Sequence, residues 1–280
     1  MDLLVSTQWL ADEMGASDLR IVDATAFLPG SGRDPAAEYE AAHIPGALFL
    51  NLDELSDTHS SLPGMLPPPE KFASRMQALG LGDGSRIVVY DNSPIRTAAR
   101  AWWMFRVFGA HGVAILDGGL EKWKAEGRPL ESGKPAVRHR HFTVWKDDTS
   151  VRTKAQVAEA LKSKSAVVVD ARSSSRFTGE EPEPRADMAS GHIPGSRNLP
   201  YARLFNTDGT WKRGNELKAV FIDAGVDLSK PIITTCGSGV TAAVLLFGAA
   251  LLGKTDAALY DGSWAEWGGD PATAKATGAA

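Results

Sequence analysis

Short runs of β-branched and other apolar residues alternate along this chain with longer stretches whose apolar positions recur at helical spacing. In the second half, AVVVDA, PIITTC and AALYD predict buried strands, with a shorter one near SRNLP. Between them TKAQVAEALK predicts a helix in which Thr153 and Gln156 fit a capping box. The run from Gly239 to Leu252 predicts a buried helix. This alternation argues for an α/β fold with a largely parallel sheet.

The pattern occurs twice. AAHIPGALFLN around His43 returns as ASGHIPGSRNLP around His192, and IVDAT with Asp23 returns as VVDAR with Asp170. ALGLGDGSRIVVYD, ending in Asp91, returns as DAGVDLSKPIITTC, ending in Cys236; LDGGLEKW returns as LYDGSWAEW. Four matches in one order at nearly constant separation indicate duplication of a whole domain. The expected division is a first domain over residues 1–130, a linker over 131–150 and a second domain over 151–280. Pro, Gly and mixed charge from Arg128 to Ser150 mark the linker. Its RHRH string holds His139 and His141, but further metal ligands are missing nearby, so it reads as a solvated face.

Composition narrows the function. With 280 residues, 43% hydrophobic and 23% charged, the chain has the make-up of a globular protein of two ordinary domains. A net charge of -4 gives no field to attract nucleic acid. The longest apolar run, from Ala242, is too short to span a membrane. The N-terminus MDLLVSTQWLADEM has the pattern of neither a signal nor a transit peptide, so a cytoplasmic location is expected. The single cysteine cannot form an internal disulfide and must be judged on its reactivity.

That cysteine, Cys236, stands where a strand ends and a buried helix is about to begin, followed by Gly237, Ser238 and Gly239. A loop so poor in bulk lets successive backbone N–H groups curl toward one point, and the helix N-terminus adds partial positive charge. A thiolate at that focus is stabilised as a nucleophile. The bland alternative is a small buried hydrophobe at a strand end. Asp91 holds the equivalent place in the first copy, which therefore lacks the thiol. The first domain is therefore expected to be noncatalytic.

The twofold repeat, both HIPG elements, CGSGVT, EPEPR with its upstream arginine and YDGSWAEW together resemble the 3-mercaptopyruvate sulfurtransferases, tandem-domain members of the rhodanese superfamily. The resemblance covers essentially the whole chain. It implies two rhodanese-like domains, each a mostly parallel sheet flanked by helices. It also implies that Cys236 takes sulfur from 3-mercaptopyruvate, releases pyruvate, and passes the sulfur from a persulfide to thioredoxin, glutathione, another thiol or cyanide, with no metal or other cofactor. Backbone donors from Gly237 through Gly239, Val240 and Thr241 would cradle the anionic sulfur.

Rhodanese-like phosphatases end a longer loop in an arginine, whereas here the sixth position is Ala242 and no cation lies between Cys236 and Leu252. Thiosulfate-specific relatives carry basic residues directly after the cysteine, where this chain has Gly237 and Ser238. A thiosulfate sulfurtransferase is the rival enzyme, and a noncatalytic rhodanese-like binding module the rival from another class. The resemblance places the substrate-carboxylate arginines at Arg176 and Arg185 in RFTGEEPEPR; the competing reading pairs both with Glu180, Glu181 and Glu183 on a solvated loop. It also implies a proton relay of Ser238, His43 and Asp34. Ser238 equally suits a helix cap, and a histidine shared by both copies is more simply a feature of the fold.

Overall fold

The computed structural model describes every residue except Ala186 and Ala280. The chain forms two compact units: the first comprises Met1–Thr58, Leu66–Asp147 and Thr207–Trp211, and the second His59–Met65, Asp148–Asn206 and Lys212–Ala280. Each unit thus takes in one short stretch from the other half of the sequence.

The strands of the first unit are β1 (Leu4–Val5), β2 (Leu19–Asp23), β3 (Leu48–Phe49), β4 (Arg86–Tyr90) and β5 (Val113–Leu116). Those of the second are β6 (Val151–Arg152), β7 (Val167–Asp170), β8 (Arg197–Asn198), β9 (Ile232–Thr235) and β10 (Ala257–Tyr260). Every pairing is parallel, and the orders β1-β5-β4-β2-β3 and β6-β10-β9-β7-β8 are the same arrangement built twice. The central strands are mostly apolar and buried because helices cover both faces of a parallel sheet.

In the first unit the helices are α1 (Thr7–Glu13), α2 (Pro35–Ala41), α3 (Leu52–Leu55), α4 (Pro69–Ala78), α5 (Ala98–Val107) and α6 (Gly119–Ala125). In the second they are α7 (Lys154–Ser163), α8 (Ser174–Thr178), α9 (Gly214–Asp223), α10 (Ala242–Leu251) and α11 (Ser263–Trp267). Thr153 caps α7 through the reciprocal capping box that its sequence suggests. Helix α10 is buried from Ala242 to Ala249, which explains its lack of a polar face. It begins three residues later than the apolar periodicity suggests. Gly239 adopts φ +79, a left-handed conformation that breaks the helical path and leaves Gly239–Thr241 in the loop.

Trp102 and Trp103 lie in the core of the first unit, and Trp264 is fully buried in the second. Chain from 131 to 147 runs along the first unit: Phe142 is buried against Phe72, and Trp145 N–H donates to the Phe108 carbonyl.

Each HIPG element is a tight turn. Ala47 N–H donates to the Ile44 carbonyl across Pro45 and Gly46 (φ +74), and Ser196 N–H to the Ile193 carbonyl across Pro194 and Gly195 (φ +83). Proline second and a left-handed glycine third is the residue order of a type II turn. The preceding histidine ties down a distant segment by a pair of backbone bonds, His43 to Glu131 and His192 to Ala276. A Cβ on Gly191 would come within 2.2 Å of the Ala276 carbonyl, so only glycine permits this closure in the second unit.

Candidate active site

Cys236 follows β9 directly and is 2% exposed. Its main chain is held on both sides. Its N–H donates to Ser263 Oγ at 3.2 Å, and its carbonyl accepts from Trp264 N–H at 2.9 Å. Ser263 also donates to the Tyr260 carbonyl, and it is a left-handed residue with φ +47. Gly119, its counterpart in the first unit, has φ +58. Strain of about 1–2 kcal/mol is therefore accepted at a serine, whose hydroxyl fixes the cysteine backbone.

Beyond Cys236 the loop opens. Among the described residues, the N–H groups of Gly237, Ser238, Val240, Thr241 and Ala242 find no acceptor within the protein. Gly237, Ser238, Val240 and Thr241 are partly exposed and Gly239 is buried. Unpaired donors beside a helix N-terminus form an anion cradle.

The first unit shows what such a turn does when it carries its own anion. Asp91 accepts from Ser93 N–H at 3.0 Å and from Ala98 N–H, the first residue of α5, at 2.6 Å. Its carboxylate fills the cradle from within. Burial nevertheless raises its pKa from 3.8 to about 6, outweighing the two N–H donors. The folded state therefore keeps a proton that the unfolded chain releases, so this residue's contribution to stability is lost as pH rises from about 4 to about 6. Asp91→Asn removes that titration. Its stability relative to wild type should improve over this range by on the order of 2 to 3 kcal/mol, read from unfolding midpoints against pH.

The two arginines singled out from the sequence have different surroundings. Arg176 lies on α8, and its Nη2 sits 3.2 Å from where a Cβ on Gly237 would be, so the guanidinium rests against the cysteine loop. Nη2 donates to Glu183 Oε2 at 2.5 Å and Nε to Oε1 at 3.3 Å. Arg185 is exposed, and Met188 N–H donates to its carbonyl. Glu181 accepts from Ser175 Oγ instead of pairing with Arg176.

Sequence reasoning missed the partner behind Arg176. Arg172 is 2% exposed, yet it donates to Asp170 through Nε and Nη2, to Glu183 through Nη1 and to the Gly191 carbonyl. Its guanidinium also lies 4.7 Å from the Trp264 ring centroid. A signal existed in VVDAR, which sets an arginine two residues beyond a buried aspartate where the first copy has Thr25.

His43 and Asp34 have structural duties in the first unit. Asp34 caps α2 by accepting from Ala36 and Ala37 N–H. His43 is fully buried, stacked on Tyr39 at 4.1 Å, with Nδ1 at 2.7 Å from the Tyr39 carbonyl. His192 repeats this geometry on Phe177, at 3.7 Å and 2.8 Å.

The rhodanese-like domain family matches the chain twice, over residues 6–126 and 153–270. Human 3-mercaptopyruvate sulfurtransferase is 44% identical over 94% of this chain and 91% of its own length. The thiosulfate sulfurtransferase of Cricetulus griseus is 42% identical over the same shares. The crystal structure of the 3-mercaptopyruvate sulfotransferase SseA from Escherichia coli superposes with a TM-score of 0.87 and 40% identity, covering 94% of this chain and 99% of that one. With two copies of the domain and these full-length relatives, the chain belongs to the rhodanese family of tandem-domain sulfurtransferases.

Proposed function

We propose that the protein transfers sulfur from 3-mercaptopyruvate, through a persulfide on Cys236, to a thiol such as thioredoxin or glutathione, or to cyanide. The observation that carries this choice is the Arg176 guanidinium lying against a cysteine loop whose next two residues, Gly237 and Ser238, bear no charge. Relatives of nearly equal identity bear either donor's name, so the charge layout decides between them. A cation set to the side suits a donor whose carboxylate is separated from its sulfur by two carbons.

In the first step the Cys236 thiolate attacks the donor sulfur. The carbon–sulfur bond breaks, its electron pair stays on carbon as the pyruvate enolate, and a proton from solvent completes pyruvate. Arg176 and Arg185 hold the carboxylate. The N–H groups of Gly237, Val240, Thr241 and Ala242, with the buried Gly239 shaping the turn, cradle the outgoing persulfide anion. Ser238, two residues beyond the sulfur, places a hydroxyl beside the departing enolate.

In the second step an acceptor thiolate or cyanide attacks the outer sulfur and Cys236 leaves as thiolate. The acceptor comes from outside the chain, which has no second cysteine to resolve the persulfide. His43 and Asp34 serve the fold of the first domain in this scheme, because each has a packing or capping duty that the repeat or the helix itself accounts for. Residues 151–280 carry the chemistry and residues 1–130 do not. Among the described residues no helix is long and apolar enough to cross a bilayer.

Turnover with 3-mercaptopyruvate and with thiosulfate under matched conditions tests the donor. A kcat/KM at least tenfold higher for 3-mercaptopyruvate is expected, and a preference for thiosulfate overturns the assignment. Arg176→Lys, which loses the paired hydrogen bonds of the planar fork, should raise KM for 3-mercaptopyruvate by about 10- to 100-fold.

A further inference from the structure

We propose that Glu183 is a positioning residue that aims Arg176 at the substrate carboxylate; this rests on the reading of Arg176 given above. The side chain of Glu183 is 0% exposed while that of Arg176 is 24% exposed, so the acid is the buried anchor and the arginine the part that reaches outward. Glu183 takes the side edge of the guanidinium, through Nε and Nη2. The end edge, Nη1 with the second hydrogen of Nη2, is left for an incoming carboxylate.

The anchor is itself fixed by a closed circuit. Glu183 Oε1 accepts from Arg172 Nη1 at 2.6 Å, and Asp170 at the end of β7 accepts from Arg172 Nη2 at 2.7 Å. Arg172 lies over the Trp264 ring, and Trp264 N–H donates to the Cys236 carbonyl. From there the chain passes to Gly237, against which Arg176 Nη2 rests. Nucleophile and substrate clamp are therefore registered through one set of buried contacts.

Charge counting shows what Glu183 contributes. Arg172 balances Asp170 and Arg176 balances Glu183, so the acid cancels the field of Arg176 rather than adding to it. Its service is direction. Glu183→Asp keeps the charge and withdraws the carboxylate by about 1.5 Å, one carbon–carbon bond. Glu183→Gln keeps the size and removes the charge, which strengthens the local positive field.

The test is steady-state kinetics with 3-mercaptopyruvate on Glu183→Asp, Glu183→Gln, Arg176→Lys and Arg176→Lys/Glu183→Asp, normalised to titrated active sites. We expect Glu183→Asp to raise KM about tenfold with kcat changed by less than threefold, the scale of a misplaced clamp. On the Arg176→Lys background the same change should have no further effect on KM. A KM for Glu183→Asp within twofold of wild type, a lower KM, or full additivity with Arg176→Lys overturns the proposal while leaving the role of Arg176 intact. An unchanged KM in Arg176→Lys overturns the carboxylate reading, and the proposal with it. Should Glu183→Asp fail to fold, Glu183→Gln decides: a raised KM supports positioning, and an equal or lower KM refutes it.

Discussion

Cys236→Ser is expected to lower sulfur transfer from 3-mercaptopyruvate by about 10⁴-fold or more, the scale of losing a covalent nucleophile. A serine oxygen can occupy the same turn and leave the fold intact. It cannot accept sulfur and release it again, because the chemistry needs a sulfur–sulfur bond that is easily broken by a second thiolate. The thermal midpoint should stay within about 4 °C of wild type, since the substitution is nearly isosteric. A variant that retains turnover, even a few per cent, places the nucleophile elsewhere.

The second large effect concerns stability. Arg172→Met should destabilise the protein by about 3–5 kcal/mol, the range for removing one partner of a buried ion pair. Arg172, Asp170 and Glu183 have side chains 0 to 1% exposed, so methionine leaves Asp170 without its counter-ion and Glu183 with Arg176 alone. Methionine fills much of the volume and keeps contact with the Trp264 ring, which makes the loss electrostatic rather than a cavity effect. Denaturant unfolding followed by the tryptophan signal measures it. A shift below about 1 kcal/mol means that Asp170 and Glu183 are not relying on Arg172.

Most of the architecture was legible because its signals are local and occur twice. PIITTC and VVVD are apolar runs of strand length, and TKAQ is a capping box. Duplication then turned four modest motifs into one strong statement about domains. The cysteine loop was legible for the same reason, since small residues between a strand and a buried helix leave few other conformations.

What stayed hidden depends on contacts between positions that share no periodicity. Glu183 meets Arg172 and Arg176 through an irregular loop, so EPEPR looked like a solvated acidic stretch although one of its acids is completely buried. Ser263 gives no sign in sequence that its backbone is left-handed; only Gly119 at the matching place in the other copy hints at it. The assignment of residues 59–65 to the second unit and 207–211 to the first follows from tertiary packing and has no compositional mark.

Intact-protein mass spectrometry after mixing with a slight excess of 3-mercaptopyruvate bears most directly on the proposed anionic persulfide in the 237–242 loop. Wild type should gain a single sulfur atom, mapped to Cys236 and removed by cyanide or a thiol, while Cys236→Ser gains none. Pyruvate released at full rate with no sulfur ever found on Cys236 would contradict it.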